Sequence, residues 1–292
     1  MSRFGSTLVP AVAAAILMLA ALSGCATRIP PGLMLDTPKE AWSAFRQHYC
    51  VRPEGEGMRV RASLYYSRVE PTKRTNRTLI SLWGDFDGPM RLDVSASIGT
   101  LLAHIREDKS GLLAFYPEDG RAYAHKNSVL GATRLGMPFP FSLAELAHAL
   151  TGDFTKLAPR RYDKAETKGG DFTYTFSKGL TRRIVLDRLG RPVRLAGVTS
   201  RSPENGRQWV FTIDRFDDAP EGQAPLPDKL TLSLDNGERG VLHIKSRELM
   251  LAPWPARSLT LELPEGVAPI RLDNGYADEK TGDIPVIHED EQ

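Results

Sequence analysis

Strict two-residue alternation of large apolar and small side chains is the feature that most narrows what this chain can become. Phe172, Tyr174 and Phe176 alternate with Thr173 and Thr175, and Trp209, Phe211 and Ile213 with Val210 and Thr212. Leu230, Leu232 and Leu234 alternate with Thr231 and Ser233. A period of two places one set on each face of a pleated strand. The first half has the same habit from Met58 onward: Met90, Leu92, Val94 and Ala96 alternate with Arg91, Asp93 and Ser95. Residues 101–106 and 112–116 continue it, punctuated by Asp108-Lys109-Ser110-Gly111 and Glu118-Asp119-Gly120. Spacers this short join antiparallel neighbours, because a parallel crossover needs about a dozen residues or more. Residues 182–187, 192–200 and 240–246 supply further ladders. The expected class is mainly β.

Helical spacing interrupts the strands three times. Thr37-Pro38-Lys39-Glu40 reads as a helix start, with Thr37 as cap, Pro38 at the first helical position and Glu40 completing a capping box. Trp42, Phe45 and Tyr49 then share one face. Residues 128–135 predict a short helix ended at Gly136, and Pro138 and Pro140 force an extended corner. Ser142-Leu143-Ala144-Glu145 is a second capping box, after which Leu143, Leu146, Ala147 and Leu150 fall on one face until Gly152. Apolar stripes so narrow must lie on the sheet. Pro220, Pro225 and Pro227 mark a long loop, and beyond Leu263 the chain turns polar, ending His288-Glu289-Asp290-Glu291-Gln292. A frayed tail is expected there.

The N-terminal stretch reads as an address rather than as structure. Arg3 precedes an apolar run from Leu8 to Leu22, about 15 residues against the roughly 20 a spanning helix needs. Cys25 directly follows Leu22-Ser23-Gly24, unlike the usual Ala-x-Ala junction, and resembles a bacterial lipobox. Cleavage there would leave Cys25 as the acylated anchor of the domain. Pro30-Pro31-Gly32 makes the following segment a stiff spacer. The expected layout is a leader at 1–24, a tether at 25–36, a barrel domain at 37–263 and a polar extension at 264–292.

Charge points to no nucleic-acid footprint: in 292 residues the formal net charge is +2 with both signs interspersed. Local basic clusters stand at Arg59/Arg61, Lys73/Arg74/Arg77 and Arg160/Arg161, and a tethered protein could set one against anionic head groups. With Cys25 acylated, Cys50 has no partner and no disulfide framework arises. The six histidines are dispersed without metal-ligand spacing. Nucleophile-elbow, P-loop and dinucleotide glycine patterns are missing from the sequence. Asp85-Phe86-Asp87-Gly88 begins like a calcium loop, but Pro89 follows and the later ligands do not, so a turn is expected. An enzyme has no motif behind it, and no cofactor is expected.

Several segments together carry a resemblance. They are Arg91-Leu92-Asp93-Val94, Ser97-Ile98-Gly99-Thr100, Tyr123, the corner Leu135-Gly136-Met137-Pro138-Phe139-Pro140, and the helix through Leu150-Thr151-Gly152. In the second half come Pro192-Val193, Gly206 with Trp209, Leu226-Pro227-Asp228-Lys229-Leu230 and Ile244-Lys245. This set resembles the LolB family of outer-membrane lipoprotein receptors, in the LolA/LolB superfamily of lipoprotein carriers. The resemblance implies an incomplete antiparallel β-barrel of about 11 strands with helices over its mouth, enclosing an apolar cavity for acyl chains. It implies a cavity wall including Trp83, Phe172, Phe176, Trp209 and Phe211, covered by the helix of Leu143, Leu146 and Leu150. It implies a membrane-inserting loop carrying Ile98. The implied partners are lipoprotein acyl chains, a periplasmic LolA-like carrier and outer-membrane lipid. The implied place is the periplasmic side of the outer membrane, held there by lipid as a monomer. The alternative is an envelope-assembly adaptor of the same fold, its barrel filled by side chains.

Overall fold

The computed structural model describes residues 34–69, 72–96, 99–137, 140–199, 207–220 and 222–273. The leader, Cys25, Ile98 and the acidic C-terminal run lie outside the described residues. From Leu35 onward the chain forms one unit.

Alternation becomes strands where it was expected. The elements are α1 (Pro38–Tyr49), β1 (Gly57–Arg68), β2 (Arg74–Asp85), β3 (Met90–Ala96), β4 (Leu101–Asp108), β5 (Gly111–Tyr116) and β6 (Arg121–His125). Then follow α2 (Ser128–Arg134), α3 (Leu143–Leu150), β7 (Lys164–Lys168), β8 (Asp171–Thr175), β9 (Thr181–Leu186), β10 (Pro192–Val198) and β11 (Gln208–Phe216). The chain closes with β12 (Pro227–Leu234), β13 (Arg239–Met250), α4 (Ala256–Leu259) and β14 (Ile270–Arg271). All strands join one sheet in the order β14-β6-β5-β4-β3-β2-β1-β13-β12-β11-β10-β9-β8-β7. Two antiparallel meanders, β1–β6 and β7–β13, are welded by the long pairing of β1 with β13. The sheet is open, as expected for an incomplete barrel, but among the described residues it has 14 strands rather than about 11. The polar β7, Lys-Ala-Glu-Thr-Lys, has no alternation to read, and its charges suit an edge that must not recruit another strand.

Both capping boxes form. Thr37 Oγ1 accepts from the Glu40 N–H while the Glu40 carboxylate accepts from the Thr37 N–H, at 3.2 and 3.1 Å. Ser142 and Glu145 repeat this at 3.0 and 2.9 Å. The caps aim amphipathic helices at the sheet: α1 packs on β7–β9 and α3 on β1–β3. Their apolar side chains join those of the inner strand faces in one continuous cluster.

The C-terminal segment departs from expectation. Residues 251–260 cross the outer face of the sheet, where the Trp254 N–H donates to Asp85 Oδ1 at 2.9 Å and Arg106 Nε to the Leu259 carbonyl at 2.9 Å. The Arg91 guanidinium donates to the Thr260 carbonyl. Instead of fraying after Leu263, the chain returns as β14 and pairs in parallel with β6, with the Leu272 N–H on the Ala124 carbonyl at 2.8 Å. Polar composition concealed this because the pairing uses backbone groups that β6 would otherwise leave bare.

Candidate functional site

The inner wall begins with Trp209 on β11. Its strand neighbours are Leu234 on β12 and Gly197 on β10. A Cβ at Gly197 would fall 2.3 Å from the Leu180 carbonyl oxygen and 2.5 Å from Trp209 Cζ2, so only glycine lets the indole lie across that strand. Phe141, just before the Ser142 cap, meets Trp209 edge-on at 4.9 Å and Phe211 at 5.5 Å. Such edge-to-face pairs add about 0.5–1.5 kcal/mol each beyond area burial. A second aromatic group forms where α1 meets β8: Trp42 lies 4.8 Å from Tyr174 and 5.8 Å from Phe176. Phe172 is fully buried there, with the Arg188 guanidinium 5.2 Å from its ring on the far side.

Seven of the eight expected wall residues therefore share one buried cluster: Leu143, Leu146, Leu150, Phe172, Phe176, Trp209 and Phe211. Trp83 does not join them. Ile80 and Leu82 point inward on β2, so Trp83 points outward, where its Nε1–H donates to the Ser258 carbonyl at 3.3 Å and Arg91 lies 5.3 Å over its ring. The strap of residues 251–260 covers it.

Helix α3 is held at both ends by polar groups. Glu107 faces inward from β4, and its carboxylate accepts from the Leu143 and Ala144 N–H groups at 2.8 and 3.2 Å. An anion at a helix N-terminus is favoured by the dipole and the free amides. Burial nevertheless dominates and pushes its pKa above the usual carboxylate value. At the other end His148 Nδ1 lies 2.8 Å from Asp153 Oδ2, with both side chains at most 5% exposed. Burial raises the Asp153 pKa, but hydrogen bonds from His148 and Thr155 outweigh it and hold the carboxyl below its usual range. His148 Nε2 is buried without a hydrogen-bond partner among the described residues, and the Phe86 ring lies 4.9 Å away. Neither Glu107 nor Phe141 was singled out from the sequence. Phe141 had a signal: it precedes the cap and stands with Leu146 at the two positions of a hydrophobic staple. Glu107 had one too, since it follows Ala103 and Ile105 at the same strand parity.

A cleft of about 70 Å³ opens between the α2–α3 connection and the strand ends, lined in part by Gly136, Met137, Pro140 and Leu234. Arg207 and Glu238, 3.9 Å apart, also stand in its wall. Since Leu234 is the strand partner of Trp209, the cleft borders the aromatic wall. Its volume is far below the roughly 300–1,000 Å³ of an ordinary ligand pocket, so a long ligand enters this cleft only if its walls move.

The loop expected to carry Ile98 is a β3–β4 hairpin closed by the Ala96 N–H on the Thr100 carbonyl at 2.7 Å, with Gly99 at φ +90°. Ile98 itself lies outside the described residues. Cys50 is half-buried and unpaired, and burial pushes its thiol up to about 12, so it stays protonated at neutral pH. Among the described residues no group of three or more His, Cys, Asp or Glu could hold a metal, and no helix is long and apolar enough to cross a membrane.

No family model and no curated protein matches this chain. Solved structures do. A LolA superfamily protein from Nitrosomonas europaea superposes over 77% of this chain and 98% of its own, with a TM-score of 0.51 and 13% identity. The fold is LolA-like. A candidate outer membrane lipoprotein-sorting domain from Vibrio parahaemolyticus matches over 75% of this chain and 96% of its own, at 9% identity and a TM-score of 0.44, too low to carry weight. The LolA-like likeness concerns the fold and says nothing of individual residues.

Proposed function

We propose that this chain is a non-catalytic outer-membrane lipoprotein of LolB-like role, anchored through Cys25. It receives lipoprotein acyl chains from a periplasmic LolA-like carrier, holds them against the inner face of its sheet, and passes them to the outer membrane as a monomer. The observation that carries this reading is α3: a short helix packed on the inner face of β1–β3, led in by Phe141 against the aromatic wall, with polar groups fastening its ends. Magnitudes favour exchange. Lifting Leu143, Leu146 and Leu150 off the sheet costs about 5–9 kcal/mol at roughly 1.5–3 kcal/mol per side chain. Burying about 14 methylenes of an acyl chain returns about 11 kcal/mol. The ligand wins by a few kcal/mol, enough to bind and little enough to release.

The filled-barrel adaptor draws support from the direct ring contacts of Phe141 with Trp209 and Phe211 and from the small cleft. Titration with an environment-sensitive fatty-acid probe decides. The carrier reading expects saturable binding at micromolar probe, and no saturable binding leaves the adaptor.

A further inference from the structure

Basic residues that lie far apart in the sequence come together on the outer face of the sheet. Arg61, Ser63 and Tyr65 alternate with the inward Ala62 and Leu64 on β1 and so face outward. The strand partner of Ser63 on β13 is His243, whose partner on β12 is Lys229, whose partner on β11 is Arg215. Lys245, the extra residue of the β13 bulge opposite Arg61 and Ala62, is exposed. The His243 ring packs edge-on against Tyr65 at 5.5 Å, and Arg77 of β2 lies 5.7 Å over the other reach of that tyrosine. Arg194 on β10 extends the same face and is exposed.

Positive charge predominates here. Asp214 accepts from Thr231 Oγ1 and Asp228 from Arg215 Nε, each at 2.6 Å, and with Glu248 opposite Arg59 they are outnumbered by Arg61, Arg77, Arg194, Arg215, Lys229 and Lys245. Arg61, Lys229 and Lys245 form no ion pair with a described residue. His243 registers the field: burial first, then Lys229, Lys245 and Arg215, holds its pKa below the ordinary imidazole value. From β2 to β10 the patch spans five strand spacings, about 24 Å.

We propose that this outer face is a docking surface for the anionic head groups of phospholipids. A protein partner is disfavoured by what the patch lacks, a central aromatic or arginine anchor sunk in a desolvated pocket. Dispersed, exposed lysines and arginines suit a surface of many mobile phosphates, which attracts each cation separately. Position agrees. The strap of residues 251–260 binds the outer face at Trp83 and Arg106, away from the exposed Arg61, Arg77, Arg194 and Lys245. Thr78, next to Arg77, pairs with Ala96, the last residue of β3, so the cations lie toward the strand end from which the chain leaves for Ile98. The choice of a lipid occupant rests on the membrane-delivery reading, and the test separates the two.

The full chain is sedimented with vesicles of phosphatidylglycerol and phosphatidylcholine mixed one to three, and with vesicles of phosphatidylcholine alone. Any contribution of the apolar leader is common to both vesicle types, so the difference reads the charged face. The expectation is a strong preference for the anionic vesicles at low salt that vanishes at high salt. The triple variant Arg61→Glu, Lys229→Glu, Lys245→Glu should lose about 100-fold of that preference while keeping its circular dichroism and fatty-acid probe uptake. Should the reversed charges unfold the chain, the matching glutamine variant takes its place, with the same loss of preference expected. Equal binding of the unmodified chain to both vesicles, or a folded variant that keeps the preference, overturns the proposal. So does competition by polyglutamate as effective as that by anionic vesicles, which would assign the face to an acidic protein. Loss of probe binding with the vesicle preference intact counts against the carrier reading alone.

Discussion

Replacing Phe141 by alanine separates a hollow-able barrel from a filled one. The ring is 3% exposed and wedged edge-on against Trp209 and Phe211. Truncating a buried Phe to Ala costs about 3–5 kcal/mol, transfer and cavity terms together. Phe141→Ala should therefore melt well below the unmodified chain. An adaptor with a permanently filled core loses that stability and gains nothing. A carrier instead acquires a ready-made dry void against its aromatic wall, and apolar voids of this kind take up apolar guests. The variant should then bind a fatty-acid probe more tightly, because less filling has to be displaced. Probe at about 100 times its dissociation constant should return roughly 2.7 kcal/mol of stability. Thermal melts with and without probe, alongside direct titration, supply both numbers. If Phe141→Ala is destabilised as expected yet shows neither tighter binding nor a probe-dependent rise in melting temperature, the wall is ordinary core and the carrier reasoning fails.

Ile98→Glu should leave melting temperature and probe binding unchanged while abolishing delivery of cargo to membranes; unfolding would mark Ile98 as core, and normal delivery would remove its loop from the mechanism. Glu107 has a folded pKa raised by burial above 4.5, so its contribution to stability is present below that value and is lost as pH rises through the folded pKa. The stability difference between the unmodified chain and Glu107→Gln should therefore shift toward the unmodified chain as pH falls from 7 to about 4.5, and a pH-independent difference in denaturant midpoints would refute the assignment. Gly197→Ala should cost about 1–3 kcal/mol through overpacking against Trp209 and alter the near-ultraviolet dichroism of the indole; unchanged melting would refute the close approach. Cys25→Ala should move the protein from the detergent phase to the aqueous phase, and an unmodified chain that already stays aqueous excludes the lipid anchor.

How far the sequence could be read depended on whether the signal was local. Trp209, Phe211, Phe172 and Phe176 sit on strands whose alternation is unambiguous, and all four point inward. The run of residues 79–83 has large apolar side chains at both parities, Leu79 and Trp83 against Ile80 and Leu82, so alternation there does not fix a face, and the resemblance implied the wrong one for Trp83. What shelters it outside is the strap of residues 251–260, which arrives from about 170 positions away and leaves no mark in the local pattern. Both capping boxes were legible because each lies within four residues. The basic outer face was not, since Arg61 and Lys245 become neighbours only through the β1–β13 pairing that closes the two meanders. Charge scattered along a chain says little until topology gathers it.

The fastening of α3 suits a lid better than a permanent wall. A helix meant to stay could be fixed by more apolar area, which is non-directional and carries no penalty. Here the closing contacts include a buried carboxylate whose raised pKa shows that burial outweighs its two amide hydrogen bonds. They also include an imidazole whose Nε2 is left without a partner among the described residues. Each such group lowers the net value of the closed state, by about 1–3 kcal/mol for an unsatisfied buried polar atom. In an open state both would regain water. The apolar faces of Leu143, Leu146 and Leu150 thus favour closure while Glu107 and His148 reduce the gap to opening. A carrier that must accept an acyl chain and then surrender it needs those two terms close to balance, and α3 sets both on two turns of helix.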